Sequence, residues 1–455
     1  MISRRQFNQS LVAVAFGGLS KHLMATPNGL GSVAKNTGYG ALISDPNGVL
    51  DLPEGFSYQI ISQLGEVMSD GREVPDRADG MGCFYKDDER VVLVRNHELS
   101  PPIAGSSEEV KDKSAAAQAY DVGQHGNALP GGTSNIVYNL KTGKTEQQHM
   151  SLIGTVRNCS GGITPWGSWL TCEESTLTPS AANQKHHGFV FEVPSDSNGL
   201  VEPLPLKAMG RFNHEAACID PRTGIVYLTE DRDDSLLYRF IPKQKGKLSA
   251  GGKLQALAIK GKPHADTRNW EKRQLVVGDT VFAEWIDLDN VESPDDDLRL
   301  RGHKAGAALF ARGEGIHWAN QELFFCCTSG GSKKLGQIMQ YQPSEFEGTD
   351  KEQQAPGKLT LYVESPHKAS FNFGDNLTVA PDGQLIVCED QYTTIVDNHL
   401  KGVTTKGETY DFARIRLQTE PAGACFSPDG SVLFVNLYSP SKTLAIRGPW
   451  QHLAG

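Results

Sequence analysis

The chain has 455 residues and a formal net charge of −10, with 48 glycines, 24 prolines and 38% hydrophobic residues. The acidic balance argues against nucleic-acid binding, which needs a basic face to displace counterions. Abundant turn-forming residues favour a β-rich fold over a helical bundle. No apolar run approaches the roughly 20 residues that a membrane-spanning helix needs, so we expect a soluble mature protein.

The amino terminus has the composition of an export signal. Ser3-Arg4-Arg5-Gln6-Phe7 precedes a weakly apolar run over residues 11–16, and Ala25 offers a small residue for cleavage. Twin arginines ahead of a modest apolar region are typical of the twin-arginine route; the alternative is a cytoplasmic terminus with an accidental arginine pair. The sequence predicts a signal peptide over residues 1–25, an extended lead-in over 26–50, and a periplasmic or extracellular location.

A short unit recurs six times along the rest of the chain. Each copy has a turn-like group rich in Asp, Gly, Pro or Asn, then a short apolar strand segment, then a polar and often acidic group. The apolar segments are residues 91–94, 169–170, 226–228, 323–325, 385–387 and 433–435. A turn followed by a buried strand, repeated at intervals of tens of residues, predicts an all-β fold, a six-bladed β-propeller.

The propeller is expected to occupy residues 51–455 as one catalytic domain, because a closed ring of blades can absorb this length. Two segments, residues 101–130 and 241–300, interrupt the repeat. Insertions with loops and short helices either form lids over a propeller mouth or are solvated excursions. The sequence leaves both interpretations open.

The strongest local signal combines a cysteine with a carboxylate fifteen residues later. Cys159 lies in Asn158-Cys159-Ser160-Gly161-Gly162, and Glu174 closes the strand unit that follows. Small neighbours leave room for a thiolate to reach a metal ion. Taken alone, the phrase is better explained by a buried free thiol and a pair of surface glutamates.

Further acidic residues occupy similar places in the later units: Glu215, Asp231, Glu314 and Asp375. Recurrence at equivalent strand ends predicts that these side chains converge on the propeller axis. Carboxylates there suit Ca2+ and Fe3+, and one thiolate adds a soft ligand that Ca2+ would not select. Alternate residues of an extended segment face the same side, so Arg312 is expected beside Glu314, with its guanidinium available to an oxyanion.

These phrases resemble those of the PhoX-type alkaline phosphatases. The resemblance rests on Asn158-Cys159 with residues 166–174, on residues 210–217, on Arg312-Gly313-Glu314, on Asp375-Asn376 and on residues 426–436. It covers most of the chain in the same order. It implies an exported propeller that holds iron and calcium ions in its channel and hydrolyses phosphate monoesters.

The resemblance also implies roles for single residues. Metal ligands are implied at Cys159, Glu174, Glu215, Asp231, Glu314 and Asp375, and Arg312 is implied to bind the substrate phosphate. The implied cofactors are Fe3+ and Ca2+. The implied partners are small phosphate esters and the twin-arginine export machinery, and we expect a monomer.

Two other hypotheses stay open at this point. A calcium-dependent propeller hydrolase of the lactonase type would use similar carboxylates but would need neither Cys159 nor Arg312. A noncatalytic binding propeller would keep metal ions only for stability. The sequence has no His-Glu-x-x-His, Walker loop or Gly-x-Ser-x-Gly motif, so zincin, P-loop and serine-hydrolase chemistry lack their signatures.

Overall fold

The computed structural model describes residues 38–101, 116–123, 126–391 and 393–450. The predicted signal peptide and most of the predicted lead-in lie outside these ranges. Within them the chain forms 26 β-strands, one α-helix, α1 (Leu298–Lys304), and four short 3-10 helices at Ala116–Gln118, Lys207–Met209, Leu248–Ala250 and Glu352–Gln354. No helix in the described part of the chain is long and apolar enough to cross a membrane.

The strands are numbered in chain order and fall into successive antiparallel sheets. Three strands come first: β1 (Leu42–Ile43), β2 (Leu50–Pro53) and β3 (Ser57–Gln63). Blade 1 contains β4 (Ala78–Asp87), β5 (Arg90–His97), β6 (Gly131–Asn139) and β7 (Lys144–Thr155). Blade 2 contains β8 (Asn158–Ile163), β9 (Ser168–Glu173) and β10 (Val190–Pro194). Blade 3 contains β11 (His214–Ile219), β12 (Val226–Glu230), β13 (Tyr238–Pro242), β14 (Gly252–Ile259) and β15 (Thr280–Asp287).

The remaining strands complete the ring. Blade 4 contains β16 (Gly313–Ala319), β17 (Glu322–Cys327), β18 (Gln337–Gln342) and β19 (Lys358–Glu364). Blade 5 contains β20 (Gly374–Val379), β21 (Leu385–Glu389), β22 (His399–Val403) and β23 (Thr409–Ile415), and blade 6 contains β24 (Pro421–Phe426), β25 (Val432–Leu437) and β26 (Lys442–Arg447). The six apolar segments found in the sequence are the second strands of the six blades. Their unbroken apolar runs suit a sheet that is covered on both faces by its neighbours.

Strands from the amino-terminal part close the ring. β3 pairs with β26 and becomes the outer strand of blade 6, while β2 pairs with β23 at the edge of blade 5 and β1 pairs with β2. The innermost strands β4, β8, β11, β16, β20 and β24 contact one another in that order, and β24 contacts β4. Both ends of the chain are therefore needed to complete the propeller.

The segment 241–300 departs from the simple blade pattern. It contains β14 and β15, which widen blade 3, and it ends at the start of α1. β15 pairs with β19, so that blades 3 and 4 share one nine-stranded sheet. The segment between β14 and β15 carries Arg268 and Trp270.

Apolar clusters fill the space between neighbouring blades. Between blades 6 and 1, for example, Leu93 and Ile136 pack with Phe434. All eight cysteines are described, free and buried. Seven of them belong to these apolar clusters, and Cys159 is the exception. Because Cys159 lies outside the apolar clusters, packing of the core does not explain its buried position.

Buried glutamates end three of the second strands: Glu173, Glu230 and Glu389. Glu173 accepts hydrogen bonds from the backbone N–H groups of Val156 (2.9 Å) and Gly188 (2.9 Å). Glu389 likewise accepts the N–H of Asn372 (2.8 Å), and Glu230 accepts the hydroxyl of Tyr238 (2.7 Å). An acidic residue at the end of a second strand is therefore not by that position alone directed to the axis.

His187 lies fully buried between two carboxylates of blades 1 and 2. Its Nδ1 is 2.7 Å from Oε1 of Glu173, and its Nε2 is 3.1 Å from Oδ2 of Asp121. Burial lowers the pKa of the imidazole, but the two carboxylates outweigh burial and raise the pKa to about 9. The histidine is thus a protonated link between two loops.

We expect this link to make stability depend on pH. Because the pKa of the folded state lies above the unfolded value of about 6.5, the contribution is complete below about pH 6.5 and is lost as pH rises through about 9. His187→Gln should lower the free energy of unfolding by about 3 kcal/mol at pH 6 and much less at pH 10. Urea denaturation of both proteins at both pH values measures this, and a difference that did not shrink with pH would contradict it.

Candidate metal centre

Each innermost strand loses its regular pairing with the second strand at the same place near its start. The unpaired residues are 79–80 in β4, 159–160 in β8, 215–216 in β11, 314–315 in β16, 375–376 in β20 and 423–424 in β24. A β-bulge bends the strand and redirects the side chain that it carries. Six bulges at one level of the ring therefore redirect six residues around the axis.

The first residue of the bulge is a metal-binding type in five blades: Asp79, Cys159, Glu215, Glu314 and Asp375. All five are buried, with at most 7% of their surface exposed. In blade 6 the same place is taken by a glycine, Gly423. The bulges thus bring one thiol and four carboxyl groups from five different blades to the axis.

Donor atoms of these residues, with two more carboxylates, form three groups. Within each group the atoms lie within 4.8 Å of one another, and the groups are Asp79, Glu98 and Cys159; Cys159, Glu174 and Glu215; and Glu215, Glu314 and Asp375. Cys159 and Glu215 each belong to two groups, and the Cys159 Sγ lies 3.4 Å from Oε1 of Glu215. The seven side chains, which we call the axial cluster, are therefore continuous.

The structure brings together most of the residues singled out in the sequence. Five of the six predicted ligands lie in the axial cluster. The sixth, Asp231, lies beside it, where its two oxygens accept hydrogen bonds from Arg312 at 2.6 and 3.1 Å. A metal-binding role for Asp231 stays a prediction.

Sequence reasoning missed Asp79 and Glu98. A signal for both was present in the repeat. Asp79 is the second residue of β4, as Cys159 is of β8 and Glu215 is of β11. Glu98 directly follows a second strand, as Glu174 does. Aligning the innermost strands, and not only the second strands, would have found them.

A second ring of residues surrounds the channel mouth. In every blade the residue after the second strand donates its backbone N–H to the carbonyl of the residue before the innermost strand. The acceptor and donor pairs are Arg77 and Glu98, Arg157 and Glu174, Asn213 and Asp231, Arg312 and Thr328, Phe373 and Asp390, and Glu420 and Tyr438. The side chains of both partners therefore start at the level of the mouth, next to the axial cluster.

Arg312 does lie beside Glu314, but for a reason other than the expected one. Its Nη2 is 2.6 Å from Oε1 of Glu314. Arg312 has a φ of 54°, so it is in the left-handed region and not in an extended segment. Arg77 and Arg157, at the same place in blades 1 and 2, have φ values of 55° and 49°. Such conformations are costly for residues other than glycine and occur preferentially at functional sites.

Two of these arginines each bridge carboxylates from neighbouring blades. Arg312 contacts Asp231 and Glu314. Arg157 donates to Oε1 of Glu98 at 2.8 and 2.9 Å and also contacts Glu174. Burial disfavours the charged form of Arg157, but Glu174 and Glu98 outweigh burial and raise the pKa of its guanidinium. The two cations offset only part of the negative charge around them.

The axial cluster holds buried acidic groups whose charged forms are disfavoured by their surroundings. Burial raises the pKa of Glu215 and of Glu314, and neighbouring carboxylates, among them Asp375, raise both further. Burial also raises the pKa of the Cys159 thiol, and Asp79 and Glu215 add to the effect. Oε2 of Glu215 and Oε2 of Glu314 are buried and have no hydrogen-bond partner. Buried carboxylates of this kind are stabilised by bound cations, so the residues present fit a metal cluster.

A cavity of about 350 Å³ lies on the axis next to the bulges. Its lining residues come from all six innermost strands, from Met81 in β4 to Cys425 in β24. Among the described residues that line it, His317 is the only one with an ionisable nitrogen, and none carries a carboxylate. Charged chemistry is therefore confined to the axial cluster and the mouth.

Comparison with known families decides which kind of propeller this is. A family model described as alkaline phosphatase PhoX matches residues 37–441. The chain belongs to the alkaline phosphatase PhoX family. The match confirms the resemblance seen in the sequence. A search of curated proteins finds no match.

One solved structure agrees with this family at the level of the fold, and two others are less similar. Pseudomonas fluorescens PhoX in complex with vanadate, a transition state analogue, is 18% identical, with 88% of this chain and 96% of that chain covered and a TM-score of 0.66. The Xanthomonas campestris gluconolactonase XC5397 is 11% identical over 91% and 99% of the two chains, with a TM-score of 0.42. The propeller domain of Myceliophteria thermophila Cps50 is 8% identical over 86% and 100%, with a TM-score of 0.43. The predicted β-propeller is thus confirmed by the PhoX structure.

Gly423 supports the axial cluster of this PhoX family member from blade 6. It has a φ of 59°, and its N–H donates to Oδ1 of Asn376 at 2.7 Å. The Asn376 amide in turn donates to Oδ1 of Asp375 at 3.1 Å. A Cβ atom at position 423 would lie 2.2 Å from the carbonyl oxygen of Asp79. Only glycine allows this close approach between blades 6 and 1.

We expect Gly423→Ala to lower both thermal stability and metal content, because the methyl group must push Asp79 away. Gly48→Ala is the matched control: Gly48 also has a positive φ, 67°, but a Cβ there meets nothing within 4 Å. The control should lose only the cost of left-handed backbone, about 1 kcal/mol. Thermal denaturation and elemental analysis of both variants test this, and equal losses in the two would show that the contact with Asp79 is unimportant.

Proposed function

We propose that this PhoX family member is an exported phosphatase that hydrolyses phosphate monoesters at a cluster of Fe3+ and Ca2+ ions on the propeller axis. The observation that carries the proposal is the axial cluster of seven buried donors beside an arginine at the mouth. Family membership supports alkaline phosphatase activity. The twin arginines Arg4 and Arg5 support export to the periplasm or the exterior.

The donor types support the choice of metals. Six carboxylates, from Asp79, Glu98, Glu174, Glu215, Glu314 and Asp375, would hold hard cations such as Ca2+ and Fe3+. The Cys159 thiolate is a soft ligand, which iron accepts and calcium does not. When bound, such cations neutralise phosphate oxygens and activate water for attack on phosphorus.

Arg312 is proposed to bind the substrate phosphate. Its guanidinium is held by Asp231 on one side and Glu314 on the other, and its side chain keeps 15% of its surface exposed at the mouth. A guanidinium donates charge-assisted hydrogen bonds to phosphate oxygens. Because two carboxylates fix its orientation beforehand, little conformational entropy is lost when an ester binds.

Arg157 is proposed to balance charge and to hold the shape of the other side of the mouth. It links Glu98 of blade 1 to Glu174 of blade 2, and the Tyr438 hydroxyl donates to the second oxygen of Glu98. These contacts keep both carboxylates directed toward the cluster. A monomeric state is a further expectation, motivated by a site built within one chain.

The other two hypotheses explain less. A lactonase-type propeller or a noncatalytic propeller would need neither the Cys159 thiol nor the fixed Arg312 guanidinium. Neither accounts for a cysteine that stands outside the apolar clusters in which the other seven lie. The match to the phosphatase family model also favours the phosphatase.

Arg312→Ala should lower kcat/KM for a phosphate monoester. The expected loss of transition-state stabilisation is about 2–4 kcal/mol, the usual effect of removing a preorganised donor. Inhibition by inorganic phosphate should weaken in parallel, while iron and calcium content stay near wild type. Arg312→Lys, which keeps the charge but loses the planar guanidinium group, should recover only part of the activity. Steady-state kinetics with elemental analysis measure all three effects.

Two results would contradict the proposed role of Arg312 in binding phosphate. Full activity and unchanged phosphate inhibition in Arg312→Ala would remove the phosphate-binding role. Loss of metal together with activity would instead make Arg312 part of the scaffold of the cluster.

Cys159→Ala should remove iron and the visible absorption of a ferric thiolate. Cys172→Ala is the matched control, because Cys172 is equally buried but packs in an apolar cluster. The proteins are recovered from the periplasmic fraction, and their iron content and visible spectra are compared. A variant without Cys159 but with full iron and colour would exclude the thiol from the site, and absence of the protein from both that fraction and the culture medium would exclude export.

A further inference from the structure

Two cations and an indole form a cluster at the channel mouth that the phosphatase reaction does not use. We call these three residues, Arg268, Trp270 and Lys334, the basic rim. The Cζ of Arg268 and the Nζ of Lys334 each lie 4.4 Å from the centroid of the Trp270 ring. Cations are attracted to the face of an indole, so Trp270 holds two positive groups close together in an acidic protein.

Hydrogen bonds tie the indole to the phosphate-binding residue. Nε1 of Trp270 donates to the carbonyl of Ser329 at 2.6 Å. The residue before it, Thr328, donates its N–H to the carbonyl of Arg312 at 3.0 Å. The dipeptide Thr328-Ser329 thus links Trp270 to Arg312 through these two hydrogen bonds.

A second connection runs through the other side of Arg312. Nη1 of Arg268 donates to the carbonyl of Asp233 at 3.1 Å. Arg232, the residue before Asp233, accepts at its carbonyl oxygen a hydrogen bond from the N–H of Arg312 at 2.9 Å. The basic rim is therefore fixed relative to Arg312 by both the N–H and the carbonyl of that residue.

The two cations of the basic rim differ in how they are held. Arg268 donates to both oxygens of Asp266, at 2.8 and 2.6 Å, so its charge is largely offset. Lys334 is exposed, and in the described part of the chain no carboxylate lies within ion-pair distance of its ammonium group. Lys334 is the cation that remains available to a ligand.

The backbone of Lys334 gives an independent indication of function. Its φ is 56°, in the left-handed region, and its N–H donates to the carbonyl of Gly331 at 2.8 Å in a turn after β17. A lysine in this conformation costs stability that glycine would not. The ammonium group that this residue carries lies over Trp270.

We propose that the basic rim is a subsite for a second anionic group, a carboxylate or a phosphate, carried by the alcohol part of a phosphate ester whose reacting phosphate binds at Arg312. Lys334 would supply the charge and Trp270 would position it. The inference rests on the proposed phosphatase function. It makes the enzyme selective for esters with two negative groups over esters of neutral alcohols.

The test compares two esters that differ by one carboxylate, 3-phosphoglycerate and glycerol 3-phosphate. Lys334→Ala should lower kcat/KM for 3-phosphoglycerate about fivefold, the size expected for an exposed ion pair, mainly through KM. It should leave glycerol 3-phosphate unchanged. Trp270→Leu should act in the same direction. Lys333→Ala, which removes the exposed neighbouring lysine, is the matched control and should change neither ester.

Salt gives a second readout. The loss in Lys334→Ala should shrink at 1 M ionic strength, where exposed charges are screened. An equal effect on both esters, or none on either, would overturn the subsite. Failure of the phosphatase function looks different, because wild type would then hydrolyse neither ester. In that case calorimetric binding of 3-phosphoglycerate still decides: it must weaken in Lys334→Ala and not in Lys333→Ala, and equal binding would overturn the subsite.

Discussion

The negative charge buried on the axis is the constraint on which the rest of the structure depends. A cysteine and six carboxylates meet there, and two of the carboxylate oxygens have no hydrogen-bond partner. The apolar packing between the blades cannot compensate such charge, because burial itself disfavours it. The Arg157 and Arg312 guanidinium groups offset part of this charge, and the donor groups around them fit bound cations.

The propeller turns a repeated backbone feature into a unique site. Six equivalent bulges and six equivalent hydrogen bonds at the mouth give a nearly symmetric frame. The side chains on that frame are not symmetric: one bulge carries a thiol, four carry carboxylates and the last carries glycine. Chemistry is therefore specified by single substitutions on a common backbone, whereas the basic rim combines the insertion between β14 and β15 with the turn after β17.

Much of the fold and part of the site could be predicted from the sequence, for identifiable reasons. The apolar second strands carry a local signal, so the six blades were visible. Glu173 and Glu174 are neighbours in sequence, but only the structure shows that the first anchors a loop and the second joins the axial cluster. Asp79 lies on an innermost strand, β4, which does not carry the unbroken apolar run that marks the second strands in the sequence. Arg312 contacts Glu314 because its backbone is in the left-handed region, and no pattern of residues in the sequence predicts that conformation.

The closing strand β3 has a consequence for how the protein matures. It comes from the start of the chain yet completes blade 6, whose other strands end at Arg447. A ribosome must therefore release almost the whole polypeptide before the ring can shut. Only in the shut ring does Tyr438 of blade 6 contact Glu98 of blade 1, a member of the axial cluster. Closure of the ring and assembly of the axial cluster are thus coupled.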